Sequence, residues 1–212
     1  MSAQIFYNNG SSSSEIITHL VNASDGAGLH FDGTDGNISF TPTDLGTKFS
    51  FEFILQADSY TLHSSGATRI IDFGTGGRFL LGWWSGLSND LSIYSVSTWS
   101  SFGVKVLDDL KVHHLVLTVD GTAATLYDNG NQVATATIAL PTDLDDCTDA
   151  RIGSEYNNAT NSYNGTIYRA RLWNKTLSQT DVTSVYESAS IDFADQWGSQ
   201  TDLINATSSG SG

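Results

Sequence analysis

Four groupings of side chains in this sequence could do chemistry. The first is aromatic. Leu81-Gly82-Trp83-Trp84-Ser85-Gly86-Leu87-Ser88-Asn89-Asp90 and Ile93-Tyr94-Ser95-Val96-Ser97-Thr98-Trp99-Ser100 set indoles and a phenol among Asn, Asp and Ser. A sugar-binding surface uses that mixture: aromatic faces lie on the apolar patches of the sugar, and polar groups fix its hydroxyls. The candidate ligand contacts are therefore Trp83, Trp84, Asn89, Asp90, Tyr94 and Trp99. Because Trp83 and Trp84 are adjacent, one of them must face away from the core if they sit on a strand. An outward Trp either anchors a partner or lies covered by a loop or another subunit. The second grouping, Tyr156 with Asn157 and Asn158, lies in a polar and aromatic stretch that reads as a binding tip or as a connecting loop.

The third grouping is acidic. Asp32 with Asp35, and Asp143, Asp145 and Asp146 with Asp149, offer the oxygen donors that calcium takes. No Asp-x-[Asp/Asn]-x-[Asp/Asn]-Gly loop is present, and Asp32-Gly33-Thr34-Asp35-Gly36 reads first as turn chemistry. The fourth is His113-His114. Successive strand residues point to opposite faces, so the two imidazoles cannot hold one ion, and His113 is expected as a hydrogen-bonded core histidine. Hydrolysis of a glycosidic bond needs two carboxylates about 5–5.5 Å apart in its retaining form. The chain has only Glu15, Glu52, Glu155 and Glu187, none within five residues of another, and it has no Gly-x-Ser-x-Gly elbow. The sequence predicts no enzyme.

The elements that must position these groups are strands. Phe49, Phe51, Phe53 and Leu55 alternate with Ser50, Glu52 and Ile54, which makes a half-buried strand with an aromatic inner side. His113, Leu115, Leu117 and Val119 alternate with His114, Val116 and Thr118. Asp120-Gly121 and Asn129-Gly130 then supply the positive φ angles of tight hairpins, so residues 112–138 read as a three-stranded meander. Further strands are expected at 28–31, 37–40, 68–73, 78–83, 90–95, 150–153 and 164–173. Short strands with Gly/Asp/Asn/Ser turns imply two stacked antiparallel sheets. One helix is expected over 178–188, started by the Ser178/Asp181 capping box with a Leu177/Val182 staple. Residues 1–27 read as a polar lead-in, 28–188 as the domain, and 189–212 as a flexible tail or linker.

Composition narrows the partners. Of 212 residues, 9 are Lys or Arg and 23 Asp or Glu, a net charge of −14, which argues against nucleic acid. A single cysteine, Cys147, excludes an internal disulfide. No apolar run is long enough for membrane insertion, and residues 1–7 lack the basic and apolar regions of an export signal.

Several stretches resemble the concanavalin A-like lectin/glucanase superfamily, in particular its laminin-G/pentraxin-like domains. Gly28-Leu29-His30-Phe31-Asp32-Gly33 is similar to its L-x-F-D-G strand, and Phe49-Ser50-Phe51-Glu52-Phe53 to the strand that follows. Val112 to Gly121 with Leu126-Tyr127-Asp128-Asn129-Gly130 is similar to its W-H-H-V-A-L-T-V-D-G and l-Y-v-D-G segments, Val112 standing where the family usually has Trp. Arg151-Ile152-Gly153 and Gly165 to Ser178 resemble its closing strand and helix. The resemblance covers about 28–188 and implies an all-β, two-sheet antiparallel jelly-roll sandwich with one short C-terminal helix. It also implies a range of function from sugar binding and adhesion to hydrolysis. Its glucanase branch carries Glu-x-Asp-x-Glu on one strand, a pattern absent here.

Together these readings predict a non-enzymatic recognition or adhesion module. The expected setting is a virion, as a phage tail, fibre or capsid-decoration component touching a host-surface glycan or neighbouring subunits, working as a homo-oligomer or with other virion proteins. Two alternatives stand beside it: a calcium-assisted lectin or adhesin at a bacterial surface or secreted outside the cell, and a degenerate glucan hydrolase. No cofactor is expected, with calcium the one ion left open.

Overall fold

Aromatic alternation builds the centre of the molecule as the sequence predicts. In the computed structural model, residues 6–8, 17–22, 28–40, 45–61, 66–74, 78–140, 150–156 and 161–197 are described, with side chains between 28 and 188. Strand β5 (Lys48–Ala57) turns Phe49, Phe51, Phe53 and Leu55 into the core. It lies between β10 (Val112–Asp120) and β14 (Asn164–Trp173), antiparallel to both. The meander continues from β10 through β11 (Ala123–Asp128) to β12 (Asn131–Thr137). At the β11–β12 turn, Asn129 and Gly130 take φ of 48° and 79°, the paired left-handed values of a two-residue hairpin loop.

On the other side of β14, β2 (Ile17–Asn22) pairs with residues 169–173 and β3 (Leu29–Asp32) with residues 164–167, while β1 (Phe6–Asn8) pairs with β2. The sheet order is β1-β2-β14-β5-β10-β11-β12, with β3 beside β14. Thus the stretch read as a lead-in contains two strands of this sheet. Their polar composition, with one short apolar patch, hid them.

The second sheet runs β4 (Ile38–Phe40), β13 (Ala150–Ile152), β6 (Ala67–Phe73), β7 (Phe79–Trp84), β8 (Leu91–Ser95) and β9 (Thr98–Ser101). The two antiparallel layers form a jelly-roll sandwich. Between them Phe51 lies 5.6 Å from Phe73 and 5.8 Å from Phe79, and Phe49 meets Phe79 edge-on at 5.2 Å.

Helix α1 (Gln179–Trp197) caps the eight-stranded sheet, and its helical backbone runs beyond the predicted end at 188. The capping box forms as expected. Asp181 Oδ2 accepts from the Ser178 N–H at 2.9 Å and hydroxyl at 2.8 Å, and the Asp181 N–H donates to Ser178 Oγ. Leu177 and Val182 are buried with Val116, Tyr127 and Trp173 from the sheet's outer face.

Under the helix lies Glu52, fully buried, which accepts from Arg171 Nε at one oxygen and at the other from Arg171 Nη2 (2.7 Å) and His114 Nε2 (2.9 Å). Burial pushes this carboxyl up, but the His114 and Arg171 hydrogen bonds outweigh it and hold it down to about 2. His113, on the inner side of the same strand, sits between Asp128 and Asp109, 2.8 Å from each. Burial lowers its pKa, yet the two carboxylates more than offset this and leave it raised above 6.5.

The two groups set opposite limbs of a stability profile. Glu52, depressed from 4.5, stabilises fully above that value and loses its contribution as pH falls towards 2. His113, raised, stabilises fully below 6.5 and loses its contribution as pH climbs through its folded value. Thermal melts across pH are expected to peak between 4.5 and 6.5. Glu52→Gln, which strands Arg171, is expected to cost on the order of 3 kcal/mol at pH 7 in urea titrations and to flatten the acid limb.

Candidate functional site on the six-stranded sheet

Strand β6 decides what the outer face of the six-stranded sheet displays. Regular alternation would put Arg69, Ile71 and Phe73 on one side. Instead a bulge between Arg69 and Ile71 inserts Ile70, so that Ile70, Ile71 and Phe73 all enter the core while Arg69 and Asp72 both stay on the outer face. The bulge brings the Thr68 carbonyl against Gly82 of β7, where a Cβ would overlap its oxygen, so only glycine fits. The Arg69 N–H leaves the ladder and donates to the Asn161 carbonyl at 2.8 Å.

Across the strands, Arg151, Asp72, Leu80, Tyr94 and Trp99 are successive partners in one row. Their side chains interlock. Trp99 stacks on Trp84 at 5.3 Å and 17° and meets Tyr94 edge-on at 5.3 Å. The Arg69 guanidinium lies over the Trp99 ring at 5.1 Å. Arg78 is held between Tyr94 at 5.5 Å and Tyr156 at 4.9 Å.

The charges are interlinked as well. Arg78 donates to both oxygens of Asp72, at 3.3 and 2.9 Å, and from Nη2 to Glu155 Oε1 at 2.8 Å. Asn161 Nδ2 donates to Glu155 Oε2 at 2.5 Å, and Arg151 Nη1 to the Glu155 carbonyl at 3.3 Å. Asp72 is fully buried, and burial pushes its carboxyl up to about 6 against the pull of Arg78 and Arg69. The same burial lowers the Arg69 pKa, only partly countered by Asp72. Arg69 Nε stands 3.6 Å from Asp72 Oδ2, beyond hydrogen-bonding range. Its Nε and Nη1 find no hydrogen-bond partner among the described residues.

The predicted ligand residues divide on this geometry. Trp84, Tyr94, Trp99 and Tyr156 come together, half-buried, on the outer face. Trp83 does not join them. It is the inward member of its pair, fully buried and stacked on Tyr60 at 4.7 Å, so no ligand reaches it. Asn89 and Asp90 belong to the turn after β7. The Asn89 carbonyl accepts from Tyr60 Oη at 2.8 Å, and the Asp90 carboxylate accepts from Ser101 Oγ at 3.2 Å. Asn157 and Asn158 lie outside the described residues, as do Asp143, Asp145 and Asp146.

Asp32 Oδ1 accepts the Thr34 N–H at 2.8 Å, a bond that lowers its pKa, and the Asp35 carbonyl accepts from Asn37 at 3.0 Å. Both residues thus take part in a turn between β3 and β4. Among the described residues, no group of three or more His, Cys, Asp or Glu is placed to hold a metal ion. Sequence reasoning missed Arg69, Asp72, Arg78 and Arg151 as site residues. The signal for them was present only as charged residues inside or beside otherwise apolar strands.

A family model described as the concanavalin A-like lectin/glucanases superfamily matches residues 32–183, and the chain belongs to that superfamily. Its sheets and helix are similar to those of several solved structures. The binding domain of botulinum neurotoxin DC, in complex with SialylT, gives a TM-score of 0.56 at 13% identity, over 88% of this chain and 45% of that one. Trypanosoma rangeli sialidase with 2,3-difluorosialic acid gives 0.55 at 17%, over 78% and 28%. The NanB sialidase of Streptococcus pneumoniae gives 0.53 at 16%, over 77% and 28%. At these identities the likeness is one of fold, and the chain spans less than half the length of each of the three. No curated protein matches the chain by sequence.

Gly82→Ala tests whether the bulge positions the ladder. The added methyl must displace the Thr68 carbonyl, so the variant is expected to lose about 1–3 kcal/mol in urea titrations. It should also weaken the near-UV circular dichroism of the stacked indoles. An unchanged spectrum would detach Trp99 from the bulge.

Proposed function

We propose that the chain is a non-catalytic glycan-recognition module that binds through the outer face of its six-stranded sheet. The observation that carries this reading is the ladder itself. Trp84, Trp99, Tyr94 and Tyr156 are interleaved with Arg69 and Arg78 on a face that no α-helix covers among the described residues. The locked rings, with the Arg78 guanidinium between Tyr94 and Tyr156, form a rigid surface whose polar edges can meet hydroxyls, at little ordering cost on binding. The superfamily, and similar folds solved with SialylT and with 2,3-difluorosialic acid, support the sugar as ligand class.

A hydrolytic reading has one observation in its favour: Asp72 and Glu155 share the Arg78 Nη2, and the Asp72 carboxyl is raised to about 6. It is disfavoured because Asp72 is sealed from solvent and both of its oxygens are taken by Arg78. Those carboxylates position the arginine. The low charge content and Ser/Thr/Asn/Gly-rich sequence support a virion as the setting, where copies of the module would display this face to a host glycan.

The test is a glycan array followed by calorimetric titration of the strongest binder. Trp84→Ala and Trp99→Ala are expected to weaken binding at least about tenfold. Val133→Ser, on β12 of the other sheet, should leave it unchanged, and no reducing sugar should be released. Equal binding by both Trp variants, or an array on which nothing binds, would overturn the proposal.

A further inference from the structure

Beyond β12 no further strand follows among the described residues, so the eight-stranded sheet ends there on an open edge. The β11–β12 pairing sets which backbone groups that edge presents. The Ile138 N–H turns towards β11 and donates to the Thr122 carbonyl at 2.9 Å, so Ala136 and Ala134, two and four residues back, turn the same way. Thr135 and Thr137 therefore aim their backbone groups out of the sheet. The Thr137 carbonyl accepts from Ser100 Oγ at 2.8 Å, while the Thr135 N–H and carbonyl meet no described residue.

Proteins normally blunt such an edge with Lys, Pro, an inward charge or a bulge. The one such device on β12 is the register shift beside Val133, and it leaves residues 134–137 in regular pairing. Residues 129–140, which make β12 and its flanks, contain no Asp, Glu, Lys, Arg, His or Pro. Neither do residues 91–104, which carry β8 and β9. The two stretches lie together, because Ser100 reaches Thr137 and Ser95 Oγ donates to the Ala139 carbonyl at 2.8 Å. On this uncharged flank stand three of the four exposed large apolar side chains among the described residues: Val133 on β12, Leu140 after it, and Val96 in the β8–β9 turn.

A second copy of the chain is the partner that fits. Two molecules of charge −14 repel each other over most of their surfaces, and an uncharged flank is where that repulsion is least. The strand also reads almost the same in both directions about Thr135, with Ala134 matched to Ala136 and Val133 to Thr137. Set antiparallel to itself, it places Thr135 opposite Thr135 of the copy, a favourable cross-strand pair, and gives the unmet N–H and carbonyl their partners. We infer that two copies of this chain associate edge to edge through β12, antiparallel about a two-fold axis at Thr135, with Val133, Leu140 and Val96 flanking the seam. Such a contact uses the same surface on both copies and closes at two. It does not rest on the glycan reading.

Sedimentation velocity and light scattering of the full chain at pH 7 test this. The mass is expected to rise from one chain to two over about 1–100 μM. Added salt is expected to tighten the dimer, since it screens the repulsion of two acidic chains and the seam holds no ion pair. Thr135→Lys, which sets two ammonium groups face to face, is expected to return the protein to monomer, whereas Thr135→Val is expected to keep the dimer. Thr135 is exposed, so both variants should melt as the wild type does at a concentration where it is monomeric. A wild type that stays monomeric throughout, a dimer that salt dissociates, a dimer indifferent to Thr135→Lys, or open-ended growth beyond two copies would each overturn the inference.

Discussion

The contact on which the rest of the molecule depends is the meeting of two phenylalanine rows. Phe49 and Phe51 of β5 meet Phe73 of β6 and Phe79 of β7 with ring centroids 5.2–5.8 Å apart, in the tilted and edge-on geometries that aromatic rings prefer, and Phe53 is buried in the same row. These rings fill the gap between layers without a polar atom to satisfy. They also fix which side of each strand faces inward, because a slip of one residue would expose the whole row. Every outward side chain discussed above owes its direction to that choice.

With the inside settled, the two outer faces diverge. The eight-stranded sheet is closed by α1, and under it Glu52 accepts from both Arg171 and His114. The six-stranded sheet carries the same elements, guanidinium, indole and carboxylate, but leaves its ladder half-buried and its charges interlinked through a single arginine. One face pairs its ring-stacked cation with a buried carboxylate. The other uses it to stiffen a surface.

How much of this was legible in the sequence follows from whether period two was obeyed. Strands β5 and β10 alternate without interruption, so their core-facing sides, the meander turns and the capping box could be read directly. Strand β5 is not half-buried as expected, however: Ser50, Glu52 and Ile54 on its other side are buried too, because α1 and its flanking residues cover that face. The bulge at Ile70 breaks the alternation of β6, so nothing in the spacing of Arg69 and Asp72 reveals that they share a face. The β8–β9 hairpin was hidden for another reason. Its turn places Val96 at φ 60°, a value that β-branched residues rarely adopt, so the usual Gly or Asn signal is missing. Trp99 was visible as an aromatic, but its partnership with Trp84, two strands away, depends on that unmarked turn. The length of α1 was underestimated because everything after 188 was read as one polar tail, although Ile191, Phe193 and Trp197 lie in its first part, where the backbone stays helical.

The central place of β14 has a kinetic consequence. Its long ladder with β5 joins segments so distant in the chain that Glu52 and Arg171 are 119 residues apart. The meander from β10 to β12 closes through loops of two residues and needs no such search. Contacts of large sequence separation slow folding, since loop closure must precede any gain from pairing. The hairpins therefore collapse early, while β5 waits with one edge unpaired and its phenylalanines in want of a cover. That interval is when the nascent chain is most open to joining a neighbour instead of itself.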